Sequence, residues 1–273
     1  MFRRSSPRRF EMAEPMARTL SDFHYLKHAA ALCLLFVGTT FLALNPDWID
    51  RPLVKAINIV ASNQPFASRL AFGAVYPTTE GAIVVSLLWY CWFAHDRPES
   101  RARLVSGVCA AVLAALVAHF LRGTLPTTPK PIFDAALGLH IPEVLGDAAV
   151  LRSAPFAGSP GFPSERAVLF AGLAIAILLV RFELGLLALA CTLVIELARV
   201  YLGLHYPTNA LGSLALAATL AWLAQTRPSL ELGALFLRWE RGAAPSFYLC
   251  SFLVSYLVIA FQDLRELAKG LLQ

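Results

Sequence analysis

Charge is scarce in this sequence. Only 15% of its 273 residues are charged, whereas 58% are hydrophobic; an ordinary soluble domain carries about a quarter charged residues. Such a chain cannot cover itself with polar groups, which excludes a soluble fold and points to a membrane protein. Paired cysteine spacings are also missing. Cys33, Cys91, Cys109, Cys191 and Cys250 each lie inside an apolar run, so they read as small core residues rather than disulfides or thiolate ligands. No His/Asp/Glu set has metal-ligand spacing, and neither metal nor cofactor is expected. There is no internal repeat or heptad array, and no low-complexity tract beyond the basic N-terminus. The first apolar run starts too far into the chain, and lacks a small-residue cleavage site, to read as a secretory signal.

The net charge of +5 does not imply nucleic-acid binding, because the basic residues flank apolar runs. Arg3, Arg4, Arg8, Arg9 and Arg18 precede the first run, a pattern that keeps a segment cytoplasmic and near anionic headgroups. The pattern predicts an all-α, polytopic membrane bundle in three parts: a loosely ordered basic cytoplasmic segment over 1–26, a transmembrane domain over 27–226, and a cytoplasmic connection with an extra span over 227–273. Expected spans are 29–44, 70–94 (kinked at Pro77, with Glu80 facing protein or water), 104–121, 163–180, 184–198, 209–224 and 247–261. Residues 52–61 are too short to cross and read as an interfacial helix. Arg181-Phe182-Glu183 is a tight turn, so the helices on either side are expected to be antiparallel neighbours. Arg97, Arg101 and Arg103, then Arg227, Arg238 and Arg241, mark cytoplasmic connections.

Counting crossings from a cytoplasmic N-terminus places three polar clusters at helix ends on the external side. The first, Arg122 to Pro131, carries Arg122 and Lys130 on a proline-stiffened loop; these two cations straddle a phosphate or simply face headgroups. The second, Gly158 to Arg166, enters a helix at Pro163-Ser164, whose free N–H groups suit an anion. Glu165 fits the positive end of that helix and Arg166 opposes it, as though an anion bound beside the arginine. The third is Arg199-x5-His205-x3-Asn209. Arginine forks phosphoryl oxygens, histidine attacks phosphorus, and residue 209 orients the imidazole. The plainer alternative is that Arg199 snorkels, His205 sits in the interface and Asn209 caps a helix. Glu196, three residues before Arg199, is placed to neutralise it.

In order and sidedness these clusters resemble the three motifs of the type 2 phosphatidic acid phosphatase family, Lys-x6-Arg-Pro, Pro-Ser-Gly-His and Ser-Arg-x5-His-x3-Asp, over residues 70–224. The resemblance implies a six-helix core, a phosphohistidine formed on His205, and phosphoryl oxygens held by Arg199, Lys130 and Ser164, with Arg122 in the first motif. This sequence departs from the motifs at four places. Arg122 and Lys130 exchange residue types and gain one intervening residue. Ala198 replaces a serine, and Asn209 an aspartate. Glu165-Arg166 stands where the family has Gly-His, the general acid. An arginine, with a pKa above about 12, donates no useful proton at neutral pH. The expected activity is therefore hydrolysis or phosphoryl transfer from a lipid phosphate at the external face, favouring isoprenyl diphosphates, with Arg166 as an extra clamp. Glu165, His119 and His140 are the other candidate proton donors. The alternative is a catalytically degenerate relative that binds or translocates polyprenyl-phosphate carriers in envelope polysaccharide synthesis. Either way the expected partners are a lipid phosphate and membrane lipids, with no nucleic acid. The expected location is a bacterial inner membrane with the site facing outward.

Overall fold

The structure, a computed structural model, describes the backbone of residues 8–75, 77–94, 97–126, 129–142, 145–146, 161–242 and 251, and the side chains of these apart from 8–21, 62, 77–80 and 239–242. The described residues are helical, without strands. In chain order the helices are α1 (Arg8–Leu44), α2 (Asp50–Ser62), α3 (Pro65–Ala74), α4 (Pro77–Ala94), α5 (Pro98–Thr124), α6 (Glu165–Leu178), α7 (Phe182–Tyr201), α8 (Pro207–Leu223) and α9 (Arg227–Gly242). Two single 3-10 turns, Pro131–Phe133 and Ala135–Leu137, interrupt the loop after α5.

Three helices are long and apolar enough to cross a membrane: Asp22–Leu44, Pro98–Thr124 and Phe182–Tyr201, of 23, 27 and 20 residues. The exposed large side chains of α7, among them Phe182, Leu186, Leu187, Val194 and Leu197, fit a lipid-facing surface. Helices α6 and α8, with 14 and 17 residues, extend only about 21 and 26 Å at 1.5 Å per residue. They form the interior. Nearly every residue of α6 from Ala167 to Ile177 is buried, as expected of a helix that is apolar all round.

Helix α6 packs on α4, α5, α7 and α8. Small residues let it lie close to α5: a Cβ added to Gly107 would lie 2.6 Å from the Ala176 Cβ, and one added to Gly172 would lie 2.9 Å from the Ala111 Cα. This is the packing by which helices associate where apolar burial gives no net drive. The turn expected at Arg181 is equally close, because a Cβ on Gly185 would come within 2.0 Å of the Leu178 backbone. Helix α1 covers α8, and α9 lies across the start of α5, where the Ser106 hydroxyl donates to the Ser229 carbonyl at 2.8 Å.

Two local expectations are corrected. The basic N-terminal segment is helical from Arg8 and runs unbroken into the first apolar stretch. Residues 70–94 do not form one kinked span: α3 ends at Ala74 and α4 starts at Pro77. Proline disfavours helix in the residue before it and cannot supply the N–H that would continue the ladder, so the chain breaks there rather than bending. The expected span over 247–261, most of residues 141–160 and the side chain of Glu80 lie outside the described residues.

Candidate functional site

The C-terminal ends of α5 and α7 meet the N-terminal ends of α6 and α8 at one end of the bundle, and all three polar clusters gather there. The turn from α7 to α8 follows from local sequence. Gly203 adopts a left-handed φ of 72°, the N–H of Leu204 donates to the Arg199 carbonyl at 2.8 Å, and the N–H of Gly203 donates to the Val200 carbonyl at 3.0 Å. This is the glycine-ended helix stop in which two orphan carbonyls are satisfied. It folds the chain back, so that His205 lies beside the helix it has just left. The His205 Nδ1 lies 2.9 Å from Glu196 Oε2, while Arg199 Nη1 donates to the other oxygen, Oε1, at 2.5 Å. The side chains of Glu196 and Arg199 are only 2% and 3% exposed, against 11% for His205. The ring is the member of the trio that a ligand can reach.

Asn209 does not orient this imidazole. Its amide donates to the Gly161 carbonyl, one turn into α8 and on the side facing the entry to α6. The Ser213 hydroxyl accepts from the Ser164 N–H at 3.0 Å, and these two contacts lay residues 161–164 along α8. Ser164 then caps α6, its hydroxyl accepting from the Ala167 N–H at 3.3 Å, a conventional role for serine at that position. Glu165 turns toward α5, accepting from Arg122 Nη1 at 2.7 Å and lying 3.0 Å from His119 Nδ1. Arg166 donates to the Val75 carbonyl at the end of α3 at 3.3 Å. The plainer reading of the sequence therefore holds in part: Ser164 and Arg166 both serve helix ends.

The loop bearing Lys130 is drawn in by two anchors. The Ile132 N–H donates to the Gly203 carbonyl at 2.9 Å, and Asp134 pairs with Arg51 at 2.9 Å. A second acid of this region, Asp50, is buried and accepts from both the N–H and the hydroxyl of Thr208, capping α8 from another helix. Burial pushes the Asp50 carboxyl above its ordinary range, and its bonds to Thr208 oppose that shift. His140 is held elsewhere, its backbone bonded to the Asn58 side chain at 2.8 and 2.9 Å.

The electrostatics show how close the cations are. Burial, followed by the charges of Arg122, Arg166 and Arg199, brings the Lys130 ammonium down to about 8. Burial also holds the His205 imidazole below its ordinary value, with Glu196 opposing the shift and Arg199 and Lys130 reinforcing it. Four cations, Arg122, Lys130, Arg166 and Arg199, thus share one end of the bundle with two carboxylates, Glu165 and Glu196. An excess of positive charge beside a neutral histidine in a low-dielectric setting favours an anion. Arg122 also carries a buried Nε without a hydrogen-bond partner, a donor suited to an acceptor group. The i,i+3 spacing of Glu196 and Arg199 foretells their ion pair; nothing in linear spacing foretells the contact of Glu196 with His205. Among the described residues no group of acids, histidines and cysteines could hold a metal ion.

One consequence is measurable. An anion in this cup raises the Lys130 pKa, so its binding near pH 8 is accompanied by proton uptake and weakens as pH rises through about 8. Calorimetry of vanadate binding in buffers of different ionisation enthalpy should show this uptake and should lose it in Lys130→Gln; a proton count of zero in the wild type would contradict the assignment. Compared with known protein families, curated proteins and solved structures, the chain matches none.

Proposed function

We propose that this chain is a multi-pass lipid-phosphate phosphatase or phosphotransferase related to the type 2 phosphatidic acid phosphatases, with His205 as its nucleophile. The observation that carries the reading is the reachable imidazole of His205, held 2.9 Å from a buried carboxylate, beside Lys130, Arg122, Arg166 and Arg199. In the first step an imidazole nitrogen attacks phosphorus, the bond to the leaving oxygen breaks, and a phosphohistidine forms. In the second, water attacks phosphorus, the N–P bond breaks and inorganic phosphate leaves; a lipid or sugar hydroxyl in place of water gives transfer. The cations neutralise charge on the equatorial oxygens. The three long apolar helices cross the membrane in this reading. The shorter apolar helices α4, α6 and α8 complete a six-helix core sheltered by them, and residues 247–261 supply a seventh span. The Arg97 to Arg103 and Arg227 to Arg241 stretches stay cytoplasmic, which turns the His205 end outward, in a bacterial inner membrane.

The leaving group follows from Arg166. Where the family pattern has a histidine acid, this chain has a guanidinium that gives up no proton near neutrality. A phosphate monoester must then expel a poorly stabilised alkoxide, whereas an isoprenyl diphosphate expels a stabilised phosphate. Purified protein is therefore expected to release phosphate from an isoprenyl diphosphate at least about 100-fold faster than from phosphatidic acid, the scale of one missing general acid. Comparable rates on the two would remove the leaving-group argument. Turnover seen only after Arg166→His would favour the second reading, a carrier-lipid binder in envelope polysaccharide synthesis, which the same replacement of a proton donor by a fixed cation supports.

A further inference from the structure

We infer that Glu196, a residue within the membrane-facing helix α7, is the positioning carboxylate of His205: it fixes the proton on Nδ1, points Nε2 at the phosphate cup, and ties the ring to the Arg199 clamp through one side chain. This deepens the phosphohistidine reading and rests on it for its chemical consequence, though not for the tautomer itself.

Arg199 can only donate, and it lies 2.5 Å from Oε1; a protonated carboxyl at that oxygen would set two donors against each other. Glu196 is therefore ionised and acceptor-only, so the hydrogen in its 2.9 Å contact with His205 belongs to the ring. With Nδ1–H so engaged, the lone pair of the neutral imidazole is on Nε2. A partner on one ring nitrogen decides what the other can do, and losing the correct tautomer alone costs a histidine-dependent enzyme about four orders of magnitude. Residue 209 is not available for the task, because its amide is committed to Gly161. The carboxylate comes instead from nine residues before the histidine, brought under the ring by the Gly203 turn. Since the same carboxylate holds Arg199, imidazole orientation and phosphate clamping form one mechanical unit.

The test uses an asymmetry of glutamine. In Glu196→Gln the amide must turn its oxygen to Arg199, which accepts nothing, and its NH2 group to His205. The ring nitrogen facing it must then accept, and the proton moves to Nε2. Protein labelled with 15N-histidine is purified in detergent at pH 8, and the His205 signals are identified among the six histidines by their loss in His205→Ala. In the wild type Nδ1 is expected to be the protonated nitrogen. Glu196→Gln should transfer the proton to Nε2 and slow phosphohistidine formation from labelled isoprenyl diphosphate at least about 1,000-fold. Glu196→Asp, which keeps the charge, should retain the wild-type tautomer. A wild-type ring protonated on Nε2 would overturn the inference, as would a folded Glu196→Gln variant still protonated on Nδ1. If Glu196→Gln does not fold, the wild-type spectrum decides alone. The expected tautomer without any phosphohistidine would refute the nucleophile and leave the positioning role standing.

Discussion

His205→Ala is expected to abolish trapping of labelled phosphate on the protein and to reduce phosphate release by at least about 10⁴-fold, the loss typical of removing a covalent nucleophile. The fold should survive. The side chain is at the rim, its carboxylate neighbour keeps Arg199 as a partner, and the turn that carries it is set by backbone bonds to Arg199 and Val200. Unfolding temperature should therefore change little while chemistry disappears, and the alanine variant should still bind vanadate through the four cations. Undiminished turnover with His205 removed would eliminate it as nucleophile. Loss of turnover together with loss of the folded protein would be uninformative about chemistry, and for that reason vanadate binding is measured on the same preparation.

Arg199→Met should have the largest effect on stability. Glu196 and Arg199 are both nearly inaccessible, so removing the guanidinium leaves a buried carboxylate with only the imidazole as partner. Breaking a buried pair on one side costs about 3–5 kcal/mol, which for a chain of this size lowers Tm by roughly 10 °C. Replacing both partners is a different matter. In Glu196→Gln/Arg199→Met no uncompensated charge remains, and most of the loss should be recovered. Thermal unfolding of the two single variants and the double variant tests this directly. An Arg199→Met protein as stable as the wild type would mean that the pair is solvated and is not a buried unit.

How much of this was legible beforehand can be traced residue by residue. The spacing Arg199-x5-His205 places a cation and a histidine around a helix end, and Leu202-Gly203 announces the stop, because glycine alone adopts φ of 72° without strain. The sidedness of Arg122, Lys130, Glu165, Arg166 and Arg199 follows from counting apolar runs, and the side chains do meet at one end of the bundle. The break at Pro77 was misjudged, since hydropathy over residues 70–94 is continuous and registers composition rather than backbone hydrogen bonds. The helical state of residues from Arg8 onward was likewise hidden behind their charge.

By itself the sequence determined the class of molecule, the positions of its long apolar helices, and which charged residues stand at their ends. These depend on hydrophobic runs and on turn residues, which act on near neighbours in the chain. Only the tertiary structure decided which acid serves His205. Residue 209 lies closer in sequence, yet it starts α8 with its side chain turned to Gly161, while a reversal through Gly203 folds the ring back onto Glu196. A hydrogen bond is settled by direction and distance in space, and linear spacing carries neither across a change of helix.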